Sequence, residues 1–306
     1  MGIKIQHISK SYGAVQAVRN ITFEVKSGEL FGLIGPDGAG KTTLFRILTT
    51  LLFADEGTAS VAGMDVVKDY RDIRNAVGYM PGRFSLYQDL SVEENLDFFA
   101  TIFGTTVEEN YDLIKDIYIQ IEPFKKRRAG ALSGGMKQKL ALSCALIHKP
   151  KVLFLDEPTT GVDPVSRKEF WDMLKRLNDK GITVLVSTPY MDEAALCDRI
   201  ALIQEGEILI VDTPENIVAK HEDPLFNVSA QNTYKLIGDL KSFKGNKSVY
   251  AFGEFIHYTH SNNDFSEETL REYLEEKGHE DIKISKTKAG IEDVFMALSQ
   301  NKEAQE

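Results

Sequence analysis

The chain has 306 residues, 42% of them hydrophobic, and a formal net charge of −10. This length exceeds one average domain, so we expect one large domain and a smaller one. The acidic balance argues against a dedicated nucleic-acid surface, and no run reaches the roughly 18 apolar residues of a membrane span. The polar N-terminus lacks the pattern of a signal peptide, and Cys144 and Cys197 lie among apolar residues. We therefore expect a soluble chain with buried thiols in a reducing compartment.

The first predicted elements are two alternating segments, residues 3–5 and 21–25, around a turn at residues 10–13. Alternation of polar and apolar residues indicates an antiparallel edge. Tyr12 stands in that turn, where a flat ring can stack on an adenine base. Packing within the turn is the alternative role for this side chain.

The dominant motif is a glycine-rich loop between an apolar strand at residues 30–34 and an amphipathic helix at residues 44–52. Its spacing, G-x-x-x-x-G-K-[ST], is that of a phosphate-binding loop, whose backbone N–H groups converge on a β-phosphate at a helix N-terminus. Lys41 is predicted to bridge the β- and γ-phosphates, and the Thr42 hydroxyl to ligate Mg²⁺. The predicted nucleotide-binding residues are Gly35, Pro36, Asp37, Gly38, Ala39, Gly40, Lys41, Thr42 and Thr43.

The next segment predicts a hairpin at residues 56–63, a helix from about residue 67 and a strand at residues 77–80. Ser91 and the residues after it form a capping box that predicts a helix over residues 95–102. No convincing strand pattern occurs between residues 84 and 145, so an all-helical insertion is predicted there.

That insertion ends in a second glycine-rich segment, LSGGMKQKL, at residues 132–140. Ser133 is predicted to cap a helix, while Gly134 and Gly135 leave its first N–H groups open to an anion. An ordinary glycine-rich helix start is the alternative. The chain thus has two helix N-termini suited to binding phosphate, about a hundred residues apart. This indicates a nucleotide held between two copies of the fold.

A wholly apolar run at residues 152–155 predicts a central parallel strand that ends in two acids. Carboxylates at the C-terminal end of such a strand face the crevice where ligands bind. Asp156 is therefore predicted to hold Mg²⁺, and Glu157 to polarise the attacking water as a general base. A solvated acidic turn is the alternative.

The remaining sequence predicts a capped helix after Asp163, a strand over residues 182–186 and a helix over residues 191–197. The pattern changes after residue 221: short strands are predicted over residues 225–260. A helix over residues 267–277, a strand over 282–284 and a helix over 291–298 follow. We predict a large α/β unit at residues 1–220, a small α+β domain at 221–300 and a polar tail at 301–306.

With both anion loops and the acid pair in this order, the chain resembles an ATP-binding cassette ATPase, the motor subunit of an ABC transporter. GPDGAGKTT is similar to Walker A, LSGGMKQKL to the ABC signature and VLFLDEP to Walker B. The resemblance covers residues 1–220 and implies a P-loop NTPase (RecA-like) cassette with an antiparallel β edge and the helical insertion. It places Tyr12 at the adenine-stacking position and residues 161–163 at the D-loop.

The C-terminal part is similar to the accessory domain of drug and antibiotic exporter cassettes, on the motif at residues 291–295. The resemblance implies an ATPase that uses ATP and Mg²⁺ and pairs head to tail with a second cassette, identical or not. One chain's Walker motifs would then face the other's signature. Integral-membrane permease subunits would be the partners, with the chain cytoplasmic and peripheral on the inner face of the cell membrane, and no nucleic acid is expected.

Two positions depart from the family pattern: Gly82 stands where a glutamine contacts Mg²⁺ and water, and Pro189 stands where a switch histidine contacts the γ-phosphate. Neither residue offers a polar side chain. We expect MgATP binding to survive and hydrolysis at this chain's own site to be in question, unless a residue such as Gln88 substitutes. Asp37 replaces a commoner asparagine. A weakly hydrolysing regulatory cassette of a mixed dimer and a soluble, non-transport ABC ATPase are the alternatives to a transport motor.

Overall fold

The computed structural model describes residues 2–221, 223–262 and 265–303, and it contains two compact units. The first unit is Met1–Pro214 and the second is Glu215–Glu306. The sequence pattern predicts the domain boundary near residue 220. In the structure the boundary lies between Pro214 and Glu215, so all but the first residue of the short helix Pro214–Ala219 belongs to the second unit. Each unit has its own hydrophobic core.

An antiparallel sheet forms one edge of the first unit. Its strand order is β2-β1-β4-β5, with β1 at Ile3–Tyr12, β2 at Val15–Val25, β4 at Glu56–Val61 and β5 at Met64–Asp65. The prediction that residues 10–12 lie in a turn is wrong, because β1 continues to Tyr12, which pairs with Val15. Asp55 explains this extension: it accepts hydrogen bonds from Lys10 Nζ at 2.5 Å and from the Ser11 backbone N–H at 2.7 Å.

The central sheet has the strand order β10-β9-β3-β8-β7-β6. Its strands are β3 at Leu30–Ile34, β6 at Val77–Met80, β7 at Val152–Asp156, β8 at Thr183–Thr188, β9 at Arg199–Gln204 and β10 at Glu207–Asp212. All neighbours run parallel except β9 and β10. Because β3, β7 and β8 are buried throughout and parallel, their carboxyl ends meet at one edge of the sheet.

Six helices of the first unit are α1 at Lys41–Leu48, α2 at Tyr70–Ala76, α3 at Val92–Ile102, α4 at Val107–Tyr118, α5 at Gly134–Leu146 and α6 at Pro164–Asp179. The capping box at Ser91 is present and starts α3 three residues earlier than predicted. Between residues 84 and 145 the described backbone contains helices, turns and one isolated bridge, so the helical insertion is present. The helix predicted over residues 191–197 is present as a 3₁₀ helix at Met191–Leu196.

In its described residues, the second unit contains an antiparallel sheet of four strands, in the order β12-β13-β11-β14, and four helices. The strands are β11 at Leu225–Ser229, β12 at Asn246–Phe252, β13 at Phe255–His260 and β14 at Lys283–Thr287. The helices are α7 at Pro214–Ala219, α8 at Thr233–Ser242, α9 at Glu267–Glu276 and α10 at Ile291–Glu303.

Helix α8 lies in the region, residues 225–260, where short strands were predicted to predominate. It forms because the Asn232 side chain caps its first turn and Leu236 and Leu240, four residues apart, enter the core. Helix α10 continues to Glu303, so the predicted tail begins inside a helix, and residues 304–306 lie outside the described residues. The α/β class with an antiparallel edge, a helical insertion and an α+β second unit is confirmed. Among the described residues no helix is both long and apolar enough to cross a membrane.

Candidate nucleotide-binding site

The phosphate-type loop lies between the end of β3 and the start of α1. Gly38 and Gly40 have φ angles of +80° and +99°, which favour glycine. A Cβ atom at Gly40 would lie 2.2 Å from the Ala17 carbonyl oxygen of β2, so only glycine fits this approach. Pro36, Asp37, Gly38 and Thr42 are exposed, Gly40 and Thr43 are half-buried, and Gly35, Ala39 and Lys41 are buried.

Lys41 carries its charge beneath this loop. Its side chain is buried, and Nζ donates hydrogen bonds to the carbonyl oxygens of Gly35 at 2.7 Å and Pro36 at 2.8 Å. The same Nζ lies 3.1 Å from Glu157 Oε1. The structure therefore brings the predicted phosphate-binding lysine and the predicted general base together, although they are more than a hundred residues apart in the chain.

The acid pair stands at the carboxyl end of β7, where Asp156 is buried and Glu157 is half-buried. Ser187 of β8 donates a hydrogen bond through Oγ to Asp156 Oδ1 at 2.7 Å. The Glu157 backbone N–H donates to Ser187 Oγ at 3.0 Å and to the Ser187 carbonyl oxygen at 3.1 Å. Glu157 has a φ of +50°, a left-handed conformation that is uncommon outside glycine. The sequence did not single out Ser187.

The oxygens here suit a magnesium ion. Thr42 presents an exposed hydroxyl in the first turn of α1, and Asp156 supplies a carboxylate. Within the described ranges no cluster of three or more His, Cys, Asp or Glu side chains could hold a metal by itself. Mg²⁺ needs only one or two carboxylates when substrate phosphates complete its coordination, so the donors present fit it.

The two departures from the family pattern flank the acid pair. A Cβ atom at Gly82 would lie 3.0 Å from the Asp156 carbonyl oxygen and 3.8 Å from Glu157 Cβ. Pro189 follows Thr188, whose carbonyl oxygen accepts a hydrogen bond from the Gly35 N–H at 3.2 Å. Gln88 lies beside Gly130 in this structure: its backbone carbonyl accepts the Gly130 N–H at 2.9 Å, and its side chain lies against Gly130.

The signature segment begins α5, and the predicted cap is present: Ser133 Oγ accepts a hydrogen bond from the Met136 N–H at 3.4 Å. A Cβ atom at Gly135 would lie 3.0 Å from Ser166 Oγ, and one at Gly134 would lie 3.9 Å from the Gly161 carbonyl oxygen. Within the chain, Gly134 thus neighbours the D-loop, and Gly135 neighbours the first turn of α6.

A buried carboxylate that the sequence reasoning missed joins this region together. Glu193 is 2% exposed and accepts hydrogen bonds from Thr188 Oγ1 at 2.5 Å, Thr159 Oγ1 at 3.1 Å and Arg167 Nε at 3.1 Å. These donors come from the strand end before Pro189, from the acid-pair turn and from α6. A charged residue in a short 3₁₀ segment has no periodic signal, so only the three-dimensional contacts identify it.

A groove of about 450 Å³ adjoins the acid pair on the Gly82 side, lined mainly by apolar side chains such as Met80, Phe84 and Phe103. His148 stacks on Phe103 with ring centroids 3.8 Å apart and contacts the Val77 carbonyl oxygen through Nε2 at 3.0 Å. Burial lowers the pKa of His148, although the Val77 contact acts in the opposite direction.

The surroundings of three other predicted residues are also defined. Tyr12 is 47% exposed at the end of β1, on the hairpin whose Ala17 carbonyl approaches Gly40 of the phosphate loop. Cys144 and Cys197 are free and buried, and burial raises the pKa of both thiols.

Comparisons with known proteins agree with these motifs. A family model described as "ABC transporter" matches residues 18–160. Nod factor export ATP-binding protein I of Burkholderia lata is 34% identical over 301 residues, covering 97% of this chain and 96% of that protein. The probable multidrug ABC transporter ATP-binding protein YbhF of Escherichia coli is 41% identical over 220 residues, covering 71% of this chain. The chain spans only 38% of the length of YbhF.

Solved structures give the same result. The cbiO1 subunit from Clostridium perfringens, described as part of an ABC transporter complex, is 26% identical with a TM-score of 0.64, covering 72% of this chain and 91% of that chain. The dimeric cassette MJ0796 bound to ADP and Pi is 25% identical with a TM-score of 0.63, covering 69% and 98%. The chain therefore belongs to the ABC transporter family as an ATP-binding subunit, and its similarity is to the drug-exporter type.

Proposed function

We propose that this chain is the ATP-binding and hydrolysing motor subunit of an ABC-type export complex, acting on the inner face of the membrane. The observation that carries this proposal is the convergence of Lys41 Nζ, the loop carbonyls and Glu157 next to Asp156, at the N-terminus of α1. A buried cation beside open helix N–H groups suits the triphosphate, and Asp156 with Thr42 would hold Mg²⁺. Tyr12 would stack on the adenine.

The bound metal would supply charge neutralisation at the phosphates. This chain's own residues bind and orient: the loop amides and Lys41 hold the phosphates, and Glu157 accepts a proton from the attacking water. Its carboxylate, 24% exposed, is reachable by water on one side and lies beside the lysine on the other. We expect the lysine contact to shift toward the phosphates when nucleotide binds.

The site would be completed by a second cassette. Ser133 and Gly134 are exposed, and Gly134 lies beside Gly161 of the D-loop, which leaves the N-terminus of α5 open to a nucleotide on a partner. MJ0796, a structural relative, is described as a dimer bound to ADP and Pi. We propose a head-to-tail dimer in which Ser133 to Gly135 of one chain face the γ-phosphate held by the other.

A weakly hydrolysing cassette in a mixed dimer is the second candidate, and Gly82 and Pro189 favour it. A homodimer would repeat both losses in both sites. In a mixed dimer the intact signature of this chain would complete the partner's site, while its own site would hold ATP and turn over slowly.

The permease contact is proposed for the segment that follows Gly82. Tyr87 is 51% exposed and packs edge-on against Phe98, with ring centroids 4.8 Å apart, so the two rings form an apolar surface beside the groove. Phe84 and Leu86 both line the groove, but Leu86 is only 8% exposed and offers little surface to a partner. We therefore do not expect Leu86 to contact a permease helix.

Cross-linking in membranes from cells that express the chain with a candidate permease tests this contact. Cysteine at position 87 should cross-link to the permease, and cysteine at the buried position 86 is the matched control that should not. Co-purification of the chain with membranes supports the transport motor, and co-purification with ribosomes supports the soluble ATPase. Cross-links confined to cysteines in the second unit would place the permease contact there instead.

ATP binding itself is tested by calorimetry of the purified chain with MgATP. Saturable binding that requires Lys41 supports the proposal. Equal affinity in the Lys41→Ala variant would overturn the assignment of the phosphate loop.

A further inference from the structure

We propose that Ser187 is a positioning residue that sets the orientation of both acids, the metal-holding Asp156 and the general base Glu157, through one hydroxyl group. The inference rests on the proposed MgATP site and adds to it a residue that lies outside the three family motifs.

The first observation is the register of the central sheet. Asp156 and Ser187 are direct partners in the parallel pairing of β7 with β8, so the serine side chain is held beside the carboxylate by both backbones. Ser187 is fully buried and Asp156 is 2% exposed. A hydroxyl in such a place is not exchanged readily for water, and its bonds act in a low local dielectric.

The second observation is how the hydroxyl is used. It donates its proton to Asp156 Oδ1 at 2.7 Å and accepts the Glu157 N–H at 3.0 Å. A serine hydroxyl has one donor and two acceptor positions, so these roles are compatible and each fixes the rotation of the other. Among the described residues, Ser187 supplies the side-chain hydrogen bond that Asp156 makes. One rotamer of one side chain is thus tied to both acids.

The third observation is the backbone of Glu157. Its left-handed φ of +50° costs energy in a residue other than glycine, and such a conformation persists only where its surroundings hold it. Ser187 holds it twice, through Oγ and through its carbonyl oxygen. This conformation sets the direction in which the Glu157 side chain leaves the strand, toward Lys41.

The neighbouring departures make this hydroxyl more important. Gly82 and Pro189 lie on either side of the acid pair and have no polar side chain to orient it. The hydroxyl of Ser187, on β8 two residues before Pro189, remains as the polar contact from this strand to the acid pair. The orientation of the Asp156 carboxylate therefore does not depend on a side chain at position 82 or 189.

The test measures the metal dependence of ATP binding in the Ser187→Ala variant. ATP affinity is measured by calorimetry in EDTA and then at increasing Mg²⁺, and Mn²⁺ binding to the ATP complex is followed by electron paramagnetic resonance. We expect the Mg²⁺ concentration for half-maximal effect to rise about tenfold, as for the loss of other groups that orient metal ligands. ATP affinity in EDTA should not change.

Thr183→Val is the matched control. Thr183 is also on β8 and buried, and its hydroxyl accepts the Gly28 N–H at 2.9 Å at the other end of the strand. This variant removes a buried hydroxyl hydrogen bond with comparable harm to folding, and it should leave the Mg²⁺ dependence unchanged. Ser187→Cys, a near-isosteric weak donor, should give an intermediate shift and serves if the alanine variant is poorly folded.

The same half-maximal Mg²⁺ concentration in wild type, Ser187→Ala and Ser187→Cys would overturn the inference, as would an equal shift in Thr183→Val. A different result would contradict the proposed MgATP site. In that case neither Mg²⁺ nor the Asp156→Asn substitution would alter ATP binding by the chain. Metal dependence in the wild type that Asp156→Asn removes and Ser187→Ala leaves intact would overturn only the role of Ser187.

Discussion

Two sets of groups around the acid pair offer a bound nucleotide very different contacts. In the first set, here called the complete or phosphate-loop side, Lys41 is buried among three oxygen atoms within 3.1 Å, and Asp156 is hydrogen-bonded by Ser187. In the second set, here called the incomplete side, Gly82 approaches the Asp156 backbone without a side chain, and Pro189 follows the end of β8 without an N–H group. One side is a complete set of charges and donors, and the other has lost its polar side chains.

This difference indicates that ATP binding and ATP hydrolysis depend on separate groups within one site. Phosphate binding depends on backbone amides, one lysine and a metal ligand, and none of these requires position 82 or 189. Hydrolysis also requires that water be oriented, and each missing electrostatic group in such sites costs about 10²–10³ in rate. We therefore expect tight binding and slow turnover.

The largest expected effect comes from the complete side. Lys41→Ala should abolish MgATP binding at millimolar nucleotide, because truncating one member of a buried, hydrogen-bonded charge pair typically costs about 2–5 kcal/mol or more. Calorimetry measures the loss. Lys247→Ala, which removes an exposed lysine paired with Asp223 in the second unit, is the control and should bind as wild type does. If both variants bound equally, the phosphate-loop side would not be the binding side.

The next effect comes from restoring the incomplete side. Gly82→Gln combined with Pro189→His should raise ATP turnover about 10²-fold with little change in ATP affinity. Because a Cβ atom at position 82 would lie 3.0 Å from the Asp156 carbonyl oxygen, Gly82→Ala is the steric control and should not raise turnover. Brisk wild-type turnover that the double variant fails to raise would show that the departures are harmless and would remove the reason for a mixed dimer.

A third effect separates binding from dimer formation. Glu157→Gln should keep ATP bound and favour a closed dimer, visible as an ATP-dependent doubling of mass by light scattering. Adding Ser133→Arg should prevent the doubling without lowering ATP affinity, because it obstructs only the site that faces the partner. Persistent monomer in the Glu157→Gln variant, with and without candidate partner cassettes, would contradict the shared-site arrangement.

The smallest effect concerns the apolar groove on the incomplete side. Burial lowers the pKa of His148 below the value of about 6.5 that a histidine has in the unfolded chain. At pH values between these two pKa values, the unfolded chain therefore binds more protons than the folded one. Stability should therefore fall as the pH drops below about 6.5. His148→Gln should reduce this loss by about 1–2 °C in unfolding temperature, as thermal scans at several pH values would record. The exposed His7→Gln is the control, and an identical pH dependence in His148→Gln would contradict a buried His148.

Much of the site could be predicted because its information is local. The phosphate loop, its strand and its helix lie within about twenty residues, and the acids directly follow an apolar strand. Gly82 and Pro189 could be located because each follows a predicted strand. The fold class was predictable for the same reason, since strands and helices alternate with clear periodicity.

The remainder depends on contacts between distant residues. Ser187 meets Asp156 across 31 positions, and Glu193 meets Thr159 across 34, so no spacing in the sequence marks either pair. Helix α8 escaped prediction because its hydrophobic residues also fit short strands. The packing of Leu236 and Leu240 in the core favours the helix, and this packing is not visible in the sequence. The start of the signature helix was predictable, but its D-loop neighbours were not.

The difference between the two sides is tested by the identity of the nucleotide that the wild-type chain holds. Purified chain is loaded with radiolabelled MgATP, separated rapidly from free nucleotide, and the bound ATP and ADP are measured over time. The structure predicts stable retention, mostly as ATP, with conversion at least about 10²-fold slower than an ordinary rate of about 1 s⁻¹. Conversion of the bound ATP to ADP at about 1 s⁻¹ or faster, in a chain unaltered at positions 82 and 189, would contradict it.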